Sequence, residues 1–157
     1  MSDALDNATG PVDNSRSANS SVKTLFLDAV KFTTGFWAAR QSTNHKASLK
    51  HAYAMLHEAG NFHNLKMAAG VESGSYRGMN FADENTYKWL EAMGWELARQ
   101  PDAELQSLAD EAISLITAAQ QSDGYLDSYY QVVEPENKWS DLDFGHELYC
   151  AGHLTQA

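Results

Sequence analysis

Apolar residues return at helical intervals between Phe36 and Ala59, with Leu49, Ala52, Tyr53 and Leu56 on one stripe, and Gly60 follows as a residue suited to a left-handed close. That pattern predicts a helix over 36–59. A second helix is expected from Asp83, whose carboxylate can cap free backbone N–H groups, with Tyr87, Leu90, Met93 or Gly94 and Leu97 on one face and an end at Arg99 or Gln100. Pro101, Asp102, Ala103 and Glu104 then read as the first turn of a third helix. Its stripe of Leu105, Leu108, Ala109, Ala112, Leu115, Ile116 and Ala119 is the most regular in the chain. The link between the second and third helices is so short that they should pack as an antiparallel hairpin, the repeating unit of helical toroids.

Elsewhere the pattern changes. Val22 to Val30 alternates roughly and carries β-favouring residues, which predicts a short strand or extended lead-in. Between Gln120 and Gly145 the helical period stops. Asp123-Gly124, Pro135 and Asn137 are turn residues there, set among Tyr125, Tyr129, Tyr130, Trp139 and Phe144. So long an aromatic loop is either a binding element, its rings matching the apolar face of a sugar, or a strap pinned to the core by those rings. From Gly145 a last helix runs to Ala157 with neither a closing glycine nor a basic last turn, so the chain is expected to be a fragment of a longer helical domain.

Composition narrows the function classes. With 157 residues and 43% hydrophobic content the chain suits one domain or a piece of one. A formal net charge of −10 opposes binding to nucleic acid or to anionic membranes, which need cations. Residues 1–21 are rich in Ser, Asn and Asp without an apolar run, and are expected to form a disordered tail rather than a signal peptide. No stretch approaches the length of a membrane span, and a cytoplasmic location follows by default. Cys150 is the single cysteine, so neither an internal disulfide nor a four-cysteine zinc site can form from this chain alone.

The segment His146-Glu147-Leu148-Tyr149-Cys150-Ala151-Gly152-His153 carries the candidate chemistry. At about 100° per residue, His146, Tyr149, Cys150 and His153 fall on one side of a helix. Three readings stand. A small zinc hydrolase would use His146, Cys150 and His153, although Cys150 occupies the place where the His-Glu-x-x-His motif has its second histidine. A sugar site would use His146, placed in the first helical turn where the dipole disfavours a positive charge, with Glu147 or Tyr149 adding polar contacts. Ordinary core packing would absorb Cys150 and His153.

Several segments together resemble glycoside hydrolase family 127: Gln120-Gln121-Ser122-Asp123-Gly124-Tyr125-Leu126-Asp127-Ser128-Tyr129-Tyr130, then Lys138-Trp139, then His146 to His153. Asn64 to Gly70 resembles the family's NF-x-x-AAG segment, Phe81 to Ala92 resembles its aspartate-led KW helix, and Phe36-Trp37 also fits. Ser122, where the family commonly has proline, Lys138, where arginine is usual, and Phe144-Gly145 depart from the pattern without removing a reacting group. The resemblance implies a catalytic (α/α)6 barrel followed by β-sandwich domains, and release of terminal non-reducing β-L-arabinofuranose with retention. It also implies a zinc-bound cysteine nucleophile, whose site is completed by further cysteines and a glutamate, and a second glutamate as acid/base, all beyond Ala157. Cys150 does not match that nucleophile, and only His146 carries over as a sugar-contacting residue.

The resulting expectation is an all-α fold, an incomplete (α/α)6 barrel over 22–157 with an extended N-terminal lead-in. Its substrate-binding residues would be His146, Glu147, Tyr125 and Trp139, with no catalytic residue and no metal ligand in this chain. The partner expected is an arabinose-containing oligosaccharide or glycan, with zinc as a cofactor of the full-length family and a homodimer open to the full-length form. A helical carbohydrate-binding or interaction module without chemistry is the alternative.

Overall fold

The helical run expected over 36–59 is present in the computed structural model as α1 (Gly35–Thr43), a π-helical turn (Asn44–Ser48) and α2 (Leu49–Ala59). The structure describes residues 14, 16–22, 25, 27 and 29–157, and among them every regular element is helical. Most of the tail expected over 1–21 and part of the lead-in over 22–30 fall outside the described residues, and the parts that are described form no strand. None of the described helices is long and apolar enough to cross a membrane.

The π turn inserts one residue into the helical ladder and turns His45 inward, where it is buried. Its ring nitrogens stand 2.7 Å from Glu96 Oε1 and 3.3 Å from Asp102 Oδ2, and Arg99 bonds the same Glu96 carboxylate. This polar knot ties the first helical run to the tip of the hairpin that follows. At the other end of α2, Gly60 has φ +94°, and the Arg77 side chain fills the space a Cβ would take. Any other residue would meet both backbone strain and a clash there.

The helix α3 (Asn61–Ala68) escapes the periodic reading, and it stands at the centre of the fold. Phe62 joins Leu49, Leu56, Trp89, Met93, Leu105, Ala109 and Ala112 in one half of the core; Leu65 joins Tyr87, Ile116, Ala119, Leu126 and Cys150 in the other. Polar residues hide the pattern: Asn61 and Asn64 are buried too. Asn61 Nδ2 donates to the Ala82 carbonyl at 2.6 Å, and Asn64 brackets Arg77 by donating to its carbonyl at 2.7 Å and accepting from its N–H at 3.0 Å. The two amides thus hold the loop ahead of the next helix.

The expected hairpin is formed by α4 (Asp83–Arg99) and α5 (Ala103–Ala119), which pack on each other and on α2 and α3. Asp102 is the cap of α5, accepting from the Glu104 and Leu105 N–H groups at 2.9 and 3.0 Å, so Pro101 precedes the cap instead of opening the helix. Beyond α5 the aromatic segment is more ordered than its lost period suggests. It contains α6 (Ser128–Val132) and a single 3₁₀ turn (Pro135–Asn137), both too short to leave a periodic trace. The last helix, α7 (Glu147–Gln156), lies against α4.

Candidate functional site

Two buried carboxylates set α6 in place. Asp127 caps it, Oδ1 accepting from the Tyr129 and Tyr130 N–H groups at 3.1 and 3.2 Å. Asp83, expected to cap its own helix, makes no such bond: Ala82 stands at the cap position and α4 begins with Asp83 itself. Its carboxylate reaches across the fold, with Oδ2 accepting from the Ser128 N–H at 2.6 Å and Oδ1 from the Ser128 hydroxyl at 2.5 Å. An aspartate at the head of one helix therefore caps another. Gln131 adds an anchor to α5 by donating to the Ala119 carbonyl at 2.7 Å.

Burial and the neighbouring Asp83 carboxylate push the Asp127 carboxyl up to about 7, against the downward pull of its N–H donors. The folded value thus lies above the unfolded one, and the native state keeps a proton that the unfolded chain releases between roughly pH 4 and pH 7. Stability from this group falls as pH rises through that window, by at most about 1.4 kcal/mol per pH unit. Asp127→Asn retains the capping oxygen and removes the charge. Urea unfolding at pH 5 and pH 7.5 should therefore show a smaller loss across the window for the variant than for wild type; equal losses would refute the assignment.

All four residues expected to meet sugar come together at the start of α7. Tyr125 donates its hydroxyl to Glu147 Oε1, the Trp139 N–H donates to Glu147 Oε2 at 2.7 Å, and the Tyr125 and Trp139 rings meet edge to face at 5.2 Å. Their depths differ. Glu147 is 1% exposed and Tyr125 8%, whereas Trp139 is 47% exposed. Glu147 and Tyr125 satisfy each other beneath the surface, while Trp139 is exposed and His146 half-buried.

His146 is not in the first helical turn; it is the residue just before α7, in left-handed backbone with φ 59°. Trp139 shares that conformation with φ 61°, and among the described residues these are the non-glycine positions with positive φ. Each costs about 1–2 kcal/mol and persists only where surrounding contacts impose it, which is characteristic of functional sites. The His146 ring packs against Phe81 at 4.8 Å and faces Tyr149 at 6.0 Å, with Phe144 at 6.5 Å. Tyr149 in turn meets His153 edge-on at 4.6 Å and receives a hydrogen bond from Lys88 at 2.5 Å. Phe81 and Lys88, part of the family-resembling stretch from Phe81 to Ala92 but not singled out there as site residues, join this face from α4 and its approach.

The shared helical face expected for His146, Cys150 and His153 is split. Glu147, Cys150 and Leu154 turn into the core, while Tyr149 stays at the surface. Cys150 Sγ donates to the Phe81 carbonyl at 3.7 Å, and burial pushes its thiol well above the usual range. Among the described residues no group of three His, Cys, Asp or Glu side chains is arranged to hold a metal ion. The residues present do not fit a zinc centre, and a zinc hydrolase built on Cys150 would need a thiolate this environment opposes.

Comparison with known proteins finds a matching family. Residues 29–157 match the model of the β-L-arabinofuranosidase GH127 catalytic domain. A non-reducing end β-L-arabinofuranosidase of Bifidobacterium longum subsp. longum is 44% identical over 100 residues, 60% of this chain, and the matched part spans 15% of that relative. Among solved structures, the GH127 β-L-arabinofuranosidase Ara127N of Geobacillus stearothermophilus T6 superposes with a TM-score of 0.78 at 36% identity, covering 81% of this chain and 21% of that one. The GH127 β-arabinofuranosidase BT3674 gives 0.72 at 28% identity, covering 81% of this chain and 22% of its own. The all-helical hairpins described above are thus part of the (α/α)6 barrel architecture of these enzymes.

Proposed function

The chain belongs to the GH127 β-L-arabinofuranosidase catalytic-domain family, and from that premise we propose that it supplies part of the sugar-binding wall of a retaining glycosidase. The substrate is a terminal non-reducing β-L-arabinofuranosyl residue of an oligosaccharide or glycan. The observation that carries this reading is the pair of left-handed residues, exposed Trp139 and half-buried His146, beside one buried carboxylate that bonds the Trp139 N–H. An exposed indole offers a flat apolar face to the C–H side of a furanose. An imidazole can both donate to and accept from its hydroxyls. Neither residue is a nucleophile or an acid/base for glycoside cleavage, which uses two such groups flanking the bond. The resemblance puts those groups, and the zinc, outside these residues.

The chain should accordingly bind and not turn over. Isothermal titration with methyl β-L-arabinofuranoside is expected to show binding that His146→Ala and Trp139→Ala each weaken by about tenfold or more, at roughly 1.4 kcal/mol per tenfold. A chromogenic β-L-arabinofuranoside should release no aglycone. Wild-type chain that ignores the sugar would sink the binding reading, and turnover lost in Cys150→Ser would reinstate chemistry within the chain.

A further inference from the structure

Glu147 follows one strained residue directly and grips the other. As the first residue of α7 it is covalently next to His146, and its Oε2 accepts from the N–H of Trp139, eight residues upstream. Its other oxygen is taken by the Tyr125 hydroxyl, and no Lys or Arg pairs with it among the described residues. A carboxylate that is 1% exposed and answered only by two neutral donors is an expensive way to pack a helix start. The backbone on the far side is also confined. A Cβ on Gly145 would overlap the Asp141 carbonyl and the Tyr130 hydroxyl, which leaves the stretch from Trp139 to His146 little freedom to relax.

We propose that Glu147 is a positioning residue: its buried carboxylate holds the Trp139 backbone left-handed and so fixes the indole in one surface with the His146 imidazole. The inference rests on the sugar-binding reading above and replaces the expectation that Glu147 itself touches substrate. Tyr125 belongs to the same device, since its hydroxyl occupies the second oxygen and its ring abuts the indole edge to face.

The clamp can be tested without sugar. Glycine tolerates left-handed backbone and alanine does not, so W139G should melt above W139A by about 2–4 °C wherever position 139 is held left-handed. That gap should close in an E147A background and return in E147Q, whose amide oxygen still accepts from the N–H. Should E147A fail to fold, E147D takes its place, because its carboxylate is one methylene too short to reach. A gap that survives loss of the carboxylate overturns the proposal. A second arm titrates methyl β-L-arabinofuranoside: E147A should bind about tenfold more weakly than wild type, and E147Q should recover most of that loss. Undiminished binding by folded E147A also overturns it. If the gap closes but wild type binds no sugar, the clamp stands and the sugar-binding reading fails.

Discussion

Replacing Phe62 with alanine is expected to lower the unfolding free energy by about 3–5 kcal/mol, the range for deleting a fully buried aromatic ring. Phe62 is 1% exposed and stands where three elements meet. Its ring stacks on His57 at 4.3 Å and meets Tyr53 at 5.2 Å and Trp89 at 6.4 Å. Truncation removes one wall from all three neighbours at once, and short α3, tied at Asn61 and Asn64, cannot swing in to fill the hole. Urea denaturation followed by far-UV circular dichroism measures the loss. Phe62→Leu should recover more than half of it by restoring volume. A loss under about 1.5 kcal/mol would mean that the core reseals around α3, contrary to the central place assigned to this helix.

Asp83→Ala should cost about 2–4 kcal/mol by a different route. It leaves the N–H and hydroxyl of Ser128, 0% exposed, without their acceptors, and orphaned buried donors cost about 1–3 kcal/mol each. Part of that cost is offset because a carboxylate that burial pushes to higher pKa is removed as well. Asp83→Asn is therefore the informative control. Its amide can accept from the Ser128 N–H and donate to the hydroxyl, so it should lie within about 1 kcal/mol of wild type. Amide exchange supplies an independent readout, since the N–H groups of Ser128 to Val132 should exchange faster in Asp83→Ala while those of α5 change less. Uniform acceleration through both helices would show that Asp83 supports the whole fold and not α6 in particular.

Both predictions concern features that local pattern did not expose. The α3 stripe is interrupted by Asn61 and Asn64, whose side chains serve backbone groups 21 and 13 residues away. A helix of this length with two buried amides has no clean apolar face, so a periodic reading passes over it. Asp83 illustrates the opposite error. Its position at the head of a helix is a correct local signal for a cap, yet the partner it takes lies 45 residues downstream. The candidate site divides in the same way. His146, Glu147, Tyr125 and Trp139 were singled out by residue type and by the family resemblance, and the fold gathers all four. Which of them face solvent was not readable, because Glu147 and Tyr125 hide each other's polar atoms.

From sequence alone came the helical stripes of α2, α4 and α5, the left-handed close at Gly60, the short turn that makes a hairpin of α4 and α5, and the family. The stripes, the close and the turn depend on neighbours a few residues apart, and the family on motifs that keep their order, so the chain carries that information in its sequence. Only the tertiary structure decided that Cys150 is a core thiol, that Asp83 caps α6, and that Trp139 and His146 are forced into left-handed backbone around a buried Glu147. The reason is physical. Strain at a non-glycine residue persists only when contacts from distant segments over-determine it, and no spacing along the chain records which segments those will be.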